Sequence, residues 1–311
     1  MSLALASISI DLDDVPRYAA IHGVPTPPGS AAHAVYDRCV PRLTEWLRAE
    51  SIPATFFAIG EDLGRPENRE TIAALHEDGH EIANHSHRHL YDLTRRRSRE
   101  IYEEVERGAA AIEAACGERP VGFRAPGYTV SDALFEVLDA TGTQYDSSVF
   151  PCPSYYLAKG LALASIKLRG GRSASRMDTP AILRAPRDPY RVGRPYWRRG
   201  GGMLELPVGV TPWQLPYIGT SLVLGGETMA TLLSKQMLGR ALINLELHGF
   251  DVADAAGDGL ESLAPHRADL KRSAEAKLGA LRAAVRVIRD AGYELVTLAE
   301  AARRFKSRPN P

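Results

Sequence analysis

Cysteine is scarce in this chain of 311 residues. The three present, Cys39, Cys116 and Cys152, are odd in number, far apart and never form a Cys-x-x-Cys pair. That excludes a disulfide framework and a thiolate zinc site. Net charge is also lacking, since 38 Lys and Arg balance 38 Asp and Glu. The chain as a whole has no field for generic nucleic-acid binding, and no nucleic-acid partner is expected. No apolar run reaches about 18 residues, which excludes a spanning helix. Low-complexity segments and internal repeats are absent too. The start, Met1-Ser2-Leu3-Ala4-Leu5, has no basic n-region, which argues against a secretory leader and for the cytoplasm. What remains is a chain 44% hydrophobic, long enough to bury a sizeable core.

Short apolar strands alternate with helices along it. Strands are expected over 3–10 and 54–59, from 80 to His85, near Tyr145, and over 204–206 and 242–247. Helices are expected over 34–49, 67–78 (closed by Gly79), 97–115 (closed by Gly117), 132–140 (capped by Ser131) and 267–291, the longest, followed by a strand over 294–297 and a last helix. This alternation predicts a parallel sheet in an α/β fold. With chemistry-bearing residues at strand C-terminal ends, the form expected is a single distorted (β/α) TIM-like barrel of about seven strands. It would be one domain over 1–311, carrying a basic insertion at about 152–203.

The most informative stretch is His85-Ser86-His87-Arg88-His89. On one helical turn, residues four apart share a face, so His85 and His89 can meet one metal ion at about 2.0–2.1 Å while His87 points elsewhere. A third ligand is offered by the cluster Asp11-Leu12-Asp13-Asp14 at the end of the first strand. Two His and one Asp, with an open fourth position, suit catalysis rather than a closed structural site. The carboxylates allow two registers. Period two turns Asp11 and Asp13 the same way, making Asp13 the ligand and Asp11 the general base. The alternative has Asp13 as base and Asp14 as ligand. Zinc is the default for such a nitrogen-rich set, and Co2+, Ni2+ or Fe2+ fit the same groups. His248, at the end of a late strand, can protonate a departing amine. Asp251 is placed to orient substrate or an imidazole.

Four stretches in order carry a resemblance: Asp11-Leu12-Asp13-Asp14, His85-Ser86-His87-Arg88-His89, Phe123-Arg124-Ala125-Pro126-Gly127-Tyr128 and Leu245-Glu246-Leu247-His248. Together they resemble the polysaccharide deacetylase family, the NodB-homology fold, over about residues 5–300. The Asp-x-Asp form is similar to that of cytoplasmic relatives and ArnD-type lipid-sugar deformylases. Arg124-Ala125-Pro126-Gly127 stands where the family has Arg-Pro-Pro-Tyr. The family's Asp-x-x-x-Trp element has no good match, and Glu205-Leu206-Pro207 occupies roughly its place. The resemblance implies metal-dependent hydrolysis of a linear amide C–N bond in an N-acyl (acetyl or formyl) sugar. It implies that Arg124 holds the base carboxylate and that the Gly127 N–H, beside Tyr128, serves the oxyanion and substrate. It also implies that His248 is the general acid.

Residues 152–203 carry eleven Lys and Arg against two Asp, behind an apolar-aromatic start at Tyr155-Tyr156-Leu157. Arg191 and Arg194 are read as phosphate or substrate contacts. The apolar start is read as a peripheral contact with the anionic inner membrane. The expected partner is an N-acylated sugar or glycan precursor, phosphate- or lipid-linked, with Tyr128, Trp197 and Trp213 as candidate sugar platforms. Two other readings stand beside it: hydrolysis of a non-sugar amide such as a ureide, and a non-catalytic carbohydrate-binding homologue. Oligomeric state is left open.

Overall fold

A computed structural model describes residues 4–307. Met1–Leu3, on which the reading of the chain start partly rests, lie outside the described residues. Among those described, nine strands form one sheet: β1 (Leu5–Asp11), β2 (Ala54–Ala58), β3 (Glu81–Asn84), β4 (Gly122–Phe123), β5 (Tyr145–Asp146), β6 (Tyr190–Val192), β7 (Arg199–Glu205), β8 (Leu242–His248) and β9 (Glu294–Leu295). The order is β6-β7-β5-β4-β3-β2-β1-β8, with β9 pairing β1, and every pairing is parallel except β6 with β7. The sheet curls until the chain beyond β7 meets β8: Gly209 N donates to Asn244 O (3.0 Å), and Asn244 Nδ2 reaches Leu206 O and Pro207 O. The fold is a distorted (β/α) barrel whose ring runs through seven parallel strands, β6 and β9 lying outside it.

Period two explains how β1 and β8 build the interior. In β1, Ala6, Ile8 and Ile10 face outward into the core shared with the surrounding helices. Leu5, Ser7, Ser9 and Asp11 occupy the other face. In β8, Ile243, Leu245 and Leu247 join that outer core, leaving Leu242, Asn244, Glu246 and His248 inside. The register aligns the inner sets in layers: Leu5 with Leu242, Ser7 with Asn244, Ser9 with Glu246, Asp11 with His248. The barrel therefore grades from an apolar floor, through a hydrogen-bonded middle where Ser9 Oγ donates to Asn244 Oδ1 (2.9 Å), to an ionisable mouth. The floor contains Leu5, Phe57, Ala83, Tyr145, Leu204 and Leu242, closed from below by Leu298, Ala301 and Ala302 of the C-terminal helix Leu298–Lys306.

Helix bounds follow their caps. Ser98–Cys116 ends at Gly117 in the left-handed region, and Ser131 Oγ accepts from Leu134 N to start Asp132–Ala140. The expected helix over 267–291 is shorter, Ala274–Asp290, because Ser273 caps it and a 3-10 turn precedes it. The helices not expected include Val15–His22, Pro153–Leu168, and Gly219–Met237, which bends where Gly226 takes φ 70°. The basic segment contains a helix, Pro153–Leu168, and the β6–β7 hairpin. No helix among the described residues is long and apolar enough to cross a membrane.

Candidate active site

The mouth collects side chains from the C-terminal ends of β1, β3, β4 and β8. His85 leaves β3 with its N–H on Ala58 O (2.9 Å). The expected helical turn through His85 and His89 is absent. The segment is a loop in which Ser86 (φ 64°) and His89 (φ 56°) are left-handed, a conformation that costs free energy in non-glycine residues. It is pinned by Gly60 N on Ser86 O, Glu61 N on His87 O, and His89 N on Ser86 Oγ. The two rings still converge, with centroids 4.8 Å apart.

Asp13 completes the group. Its Oδ1 lies 2.8 Å from His89 Nε2 and its Oδ2 3.6 Å from His85 Nε2. All three residues are buried, and one donor atom from each lies within 4.8 Å of the others. Ligands about 2.0–2.2 Å from a common ion must lie within about twice that distance of each other, so the spacing fits. The tautomer fits as well. His85 Nδ1 donates to Arg124 O (2.7 Å), which leaves a bare Nε2 that is buried without a partner. Burial drives the His89 imidazole down to about 4, against the pull of Asp13, so it is neutral and able to ligate. Burial alone would raise the Asp13 carboxyl, but His89 and His85 hold it well below the usual range.

Asp14 turns away. It is the N-cap of Val15–His22, accepting from Val15 N (2.8 Å) and Val35 N (3.3 Å) on Oδ1. Of the three carboxylates, Asp11 and Asp13 approach the His85 and His89 rings. Asp11 faces the same centre, with Oδ2 3.7 Å from His85 Nε2. Arg124, fully buried, locks it: Nη1 donates to Asp11 Oδ1 (2.6 Å), Nη2 to Ser9 Oγ (2.8 Å) and Ser147 Oγ (3.0 Å), and Nε to Ser147 O (2.8 Å).

His248 stands across the mouth. Glu246, two residues earlier on the same strand face, brings Oε1 to 2.9 Å from His248 Nδ1 and has no hydrogen-bonded partner elsewhere. Burial disfavours the charged imidazole, yet Glu246 holds His248 above its ordinary value. Sequence reasoning missed Glu246, although its spacing from His248 was the available signal. Asp251 does not touch the imidazole. It accepts from His248 N (2.9 Å) and Thr220 Oγ1 (2.8 Å), fixing the backbone.

Gly127 (φ 63°) and Tyr128 (φ 60°) make a tight turn after Arg124. A Cβ on Gly127 would meet the Tyr91 ring at 3.0 Å. Lys159 of the basic segment donates to Gly127 O (3.3 Å), and Tyr155 packs against Tyr128. Tyr128 and Tyr18 both approach His248, with ring centroids 6.4 and 6.2 Å away, and both phenol oxygens are buried without partners. Tyr18, on an unexpected helix, is the second residue missed.

Arg191 and Arg194 make none of the contacts described at this mouth. They lie on β6 and the turn after it, outside the ring. Arg191 donates to Gly202 O and, after burial, adds to what disfavours the charge on Lys306 of the floor helix, and Arg194 pairs with Glu136. Edge strand β6 runs antiparallel to β7, so its chain turns back toward the floor. Trp197 packs on Tyr196 in the same turn, and Trp213 is exposed in the turn after β7.

One glycine shapes the His loop from behind. A Cβ on Gly108, inside helix Ser98–Cys116, would lie 2.4 Å from Asn84 Oδ1 and 2.8 Å from Ser86 C. Gly108→Ala is expected to push that loop outward. It should cost about 1–3 kcal/mol in urea unfolding and weaken metal binding measured by titration. Unchanged values for both would show that the loop tolerates the methyl group.

Comparison with known proteins places this geometry. The family model described as polysaccharide deacetylase matches residues 27–145, which include His85, His89 and Arg124. The chain is 37% identical over 98 residues to a chitooligosaccharide deacetylase of Bradyrhizobium sp. (strain ANU 289), covering 31% of this chain and 43% of that protein. It is 32% identical over 104 residues to a peptidoglycan-N-acetylglucosamine deacetylase of Bacillus cereus, covering 33% and 47%. The chain thus spans less than half the length of these curated relatives. Among solved structures, a presumed polysaccharide deacetylase from Mycobacterium smegmatis superposes with a TM-score of 0.63 at 19% identity, covering 100% of this chain and 93% of that one. A family 4 acetyl xylan esterase from Clostridium thermocellum, in complex with a cobalt ion, gives 0.51 at 16% identity, covering 98% and 93%. These two likenesses concern the fold. The chain therefore shares its barrel fold with these structures and part of its sequence with carbohydrate deacetylases. Over residues 27–145 the chain is similar to the polysaccharide deacetylase family.

Proposed function

We propose that this chain hydrolyses the N-acyl group, acetyl or formyl, of an amide on a sugar or sugar-containing precursor, with Asp13, His85 and His89 holding one divalent metal, zinc first. The observation that carries the reading is that this triad, the Arg124-locked Asp11 and the Glu246-paired His248 share one mouth. A divalent ion held there would polarise the acyl carbonyl and acidify a water molecule. Asp11 takes the proton as water oxygen bonds to the carbonyl carbon. Arg124 keeps the carboxylate aimed. The Gly127 N–H steadies the oxyanion. As the C–N bond breaks, His248 gives a proton to the departing nitrogen. Because Nδ1 faces Glu246, Nε2 is the donating atom. The products are the carboxylate and a free amine. Tyr18 and Tyr128 supply hydroxyl groups for the sugar.

A cytoplasmic, phosphate- or lipid-linked precursor is the substrate we favour. Leu157, Leu161 and Leu168, all exposed on helix Pro153–Leu168, support a resting contact with a lipid surface.

Amine release from N-acetyl chitooligosaccharides is the test, with loss on chelation and recovery on adding zinc. An unaltered rate after complete metal removal would sink the reading. The pH dependence of kcat/KM carries a further expectation. An acid must be protonated to act, so activity falls as pH rises through the His248 pKa. Glu246→Gln removes the carboxylate that holds this pKa up, so the alkaline limb should move to lower pH by roughly one unit or more. A limb that stays in place would remove Glu246 from the mechanism.

A further inference from the structure

A cavity of about 340 Å³ opens beside His89, walled by Arg17, Ala20, Tyr91, Ala174 and Arg176. These residues come from three distant segments. Helix Val15–His22 brings Arg17, the loop after His89 brings Tyr91, and the basic segment folds over the top. That segment is docked: Ala174 N donates to Ala20 O (3.1 Å), Arg95 Nη2 donates to Met177 O (2.9 Å), and Arg172 O fills the space a Cβ on Gly23 would need.

Arg17 is mostly buried, with its side chain 17% exposed. Nη2 donates to Asp62 Oδ1 (2.7 Å), Nη1 to Arg88 O (3.3 Å), Glu61 lies 3.7 Å away, and Nε is buried with no acceptor. Arg176 is exposed and uses Nη1 on Ser173 O (3.1 Å) and, at longer range, Ser175 O. Among the described residues no carboxylate pairs with it. Asp92 also lines the cavity, but both its oxygens are held by Arg96 at 3.1 Å. The cavity thus presents two guanidinium groups, Arg17, paired with Asp62 but with an orphan Nε, and Arg176, which has no carboxylate partner among the described residues, against a wall shared with the His89 imidazole. Planar guanidinium forks match oxyanions in geometry and charge.

We propose that this cavity is an anion subsite, in which Arg17 and Arg176 hold a phosphate or carboxylate carried by the substrate while its acyl group lies at the Asp13, His85 and His89 centre. The inference rests on the deacetylase reading and narrows its substrate class to anionic N-acyl sugars. It also gives the basic segment a role that Arg191 and Arg194 do not fill.

The test uses the zinc-loaded full chain and the exposed position, Arg176→Gln, because Arg17→Gln also breaks a buried pair. Three N-acetylated sugars are compared: neutral, phosphate-bearing and uronate-bearing. The ratio of kcat/KM for an anionic sugar over the neutral one should fall about tenfold in the variant, chiefly through KM. The anionic sugar whose ratio falls identifies the source of the oxyanion. An unchanged ratio for both overturns the proposal. Inorganic phosphate supplies a readout without turnover. Its thermal stabilisation of the protein should weaken in Arg176→Gln, and equal stabilisation of both proteins counts against the subsite. If no sugar is hydrolysed yet the phosphate effect still depends on Arg176, the deacetylase reading fails and the anion site stands.

Discussion

Asp13→Ala should purify without metal and without measurable amine release. The carboxylate lies 2.8 Å from one imidazole and 3.6 Å from the other, and in the proposed site it would be the anion that offsets a buried dication. Loss of groups that merely orient ligands weakens metal affinity about 10- to 100-fold, so loss of a ligand itself should exceed that range. Asp14→Ala is the control. Asp14 caps helix Val15–His22 and contacts backbone N–H groups rather than the two imidazoles. Its removal should leave the metal in place and cost about 1 kcal/mol of stability. Metal content by mass spectrometry, with urea unfolding alongside, separates the two. The assignment collapses if Asp13→Ala keeps an equivalent of metal while Asp14→Ala loses it.

Arg124→Met should be the most damaging change for stability and activity together. The guanidinium is fully buried and donates to Asp11, Ser9 and Ser147. Methionine fills similar volume but leaves the Asp11 charge buried without its cation and the Ser147 carbonyl without its donor. Breaking one side of a buried pair costs about 3–5 kcal/mol. Against a total stability of about 5–15 kcal/mol, that is a large fraction. The loss of an aimed base should lower kcat by about a hundredfold or more. Arg124→Lys returns the charge without the planar fork, so it should recover part of the stability and little of the rate. Urea midpoints and turnover numbers report the two effects independently. A stable, active Arg124→Met protein would mean that Asp11 needs no such partner.

Much of this site was readable from local pattern. The alternation in Ser7-Ile8-Ser9-Ile10-Asp11 and in Asn244-Leu245-Glu246-Leu247-His248 states which side chains share a face. The structure uses that face as the barrel interior. Alternation is a property of one strand and needs no partner, so Asp11 and His248 could be placed at strand ends from the chain alone. Glycine stops and Ser131 likewise fixed helix ends, because capping involves only neighbouring residues.

The His loop shows where local reading fails. Four-residue spacing is the signature of a helical turn, yet His85 and His89 converge through two left-handed residues held by β2 and the following turn. Those contacts belong to chain about thirty residues away, and no local propensity encodes them. Asp14 became a cap only because a short helix begins at Val15. Arg191 and Arg194, read from charge density, ended outside the ring because strand order, not composition, decides which face a segment meets. Arg17 and Arg176 meet at one cavity from opposite sides of that same ambiguity. The sequence by itself determined the chemistry available and the face on which each strand presents it. Only the tertiary structure decided which faces meet, because strand order and loop docking are set by long-range packing among segments that share no local signal.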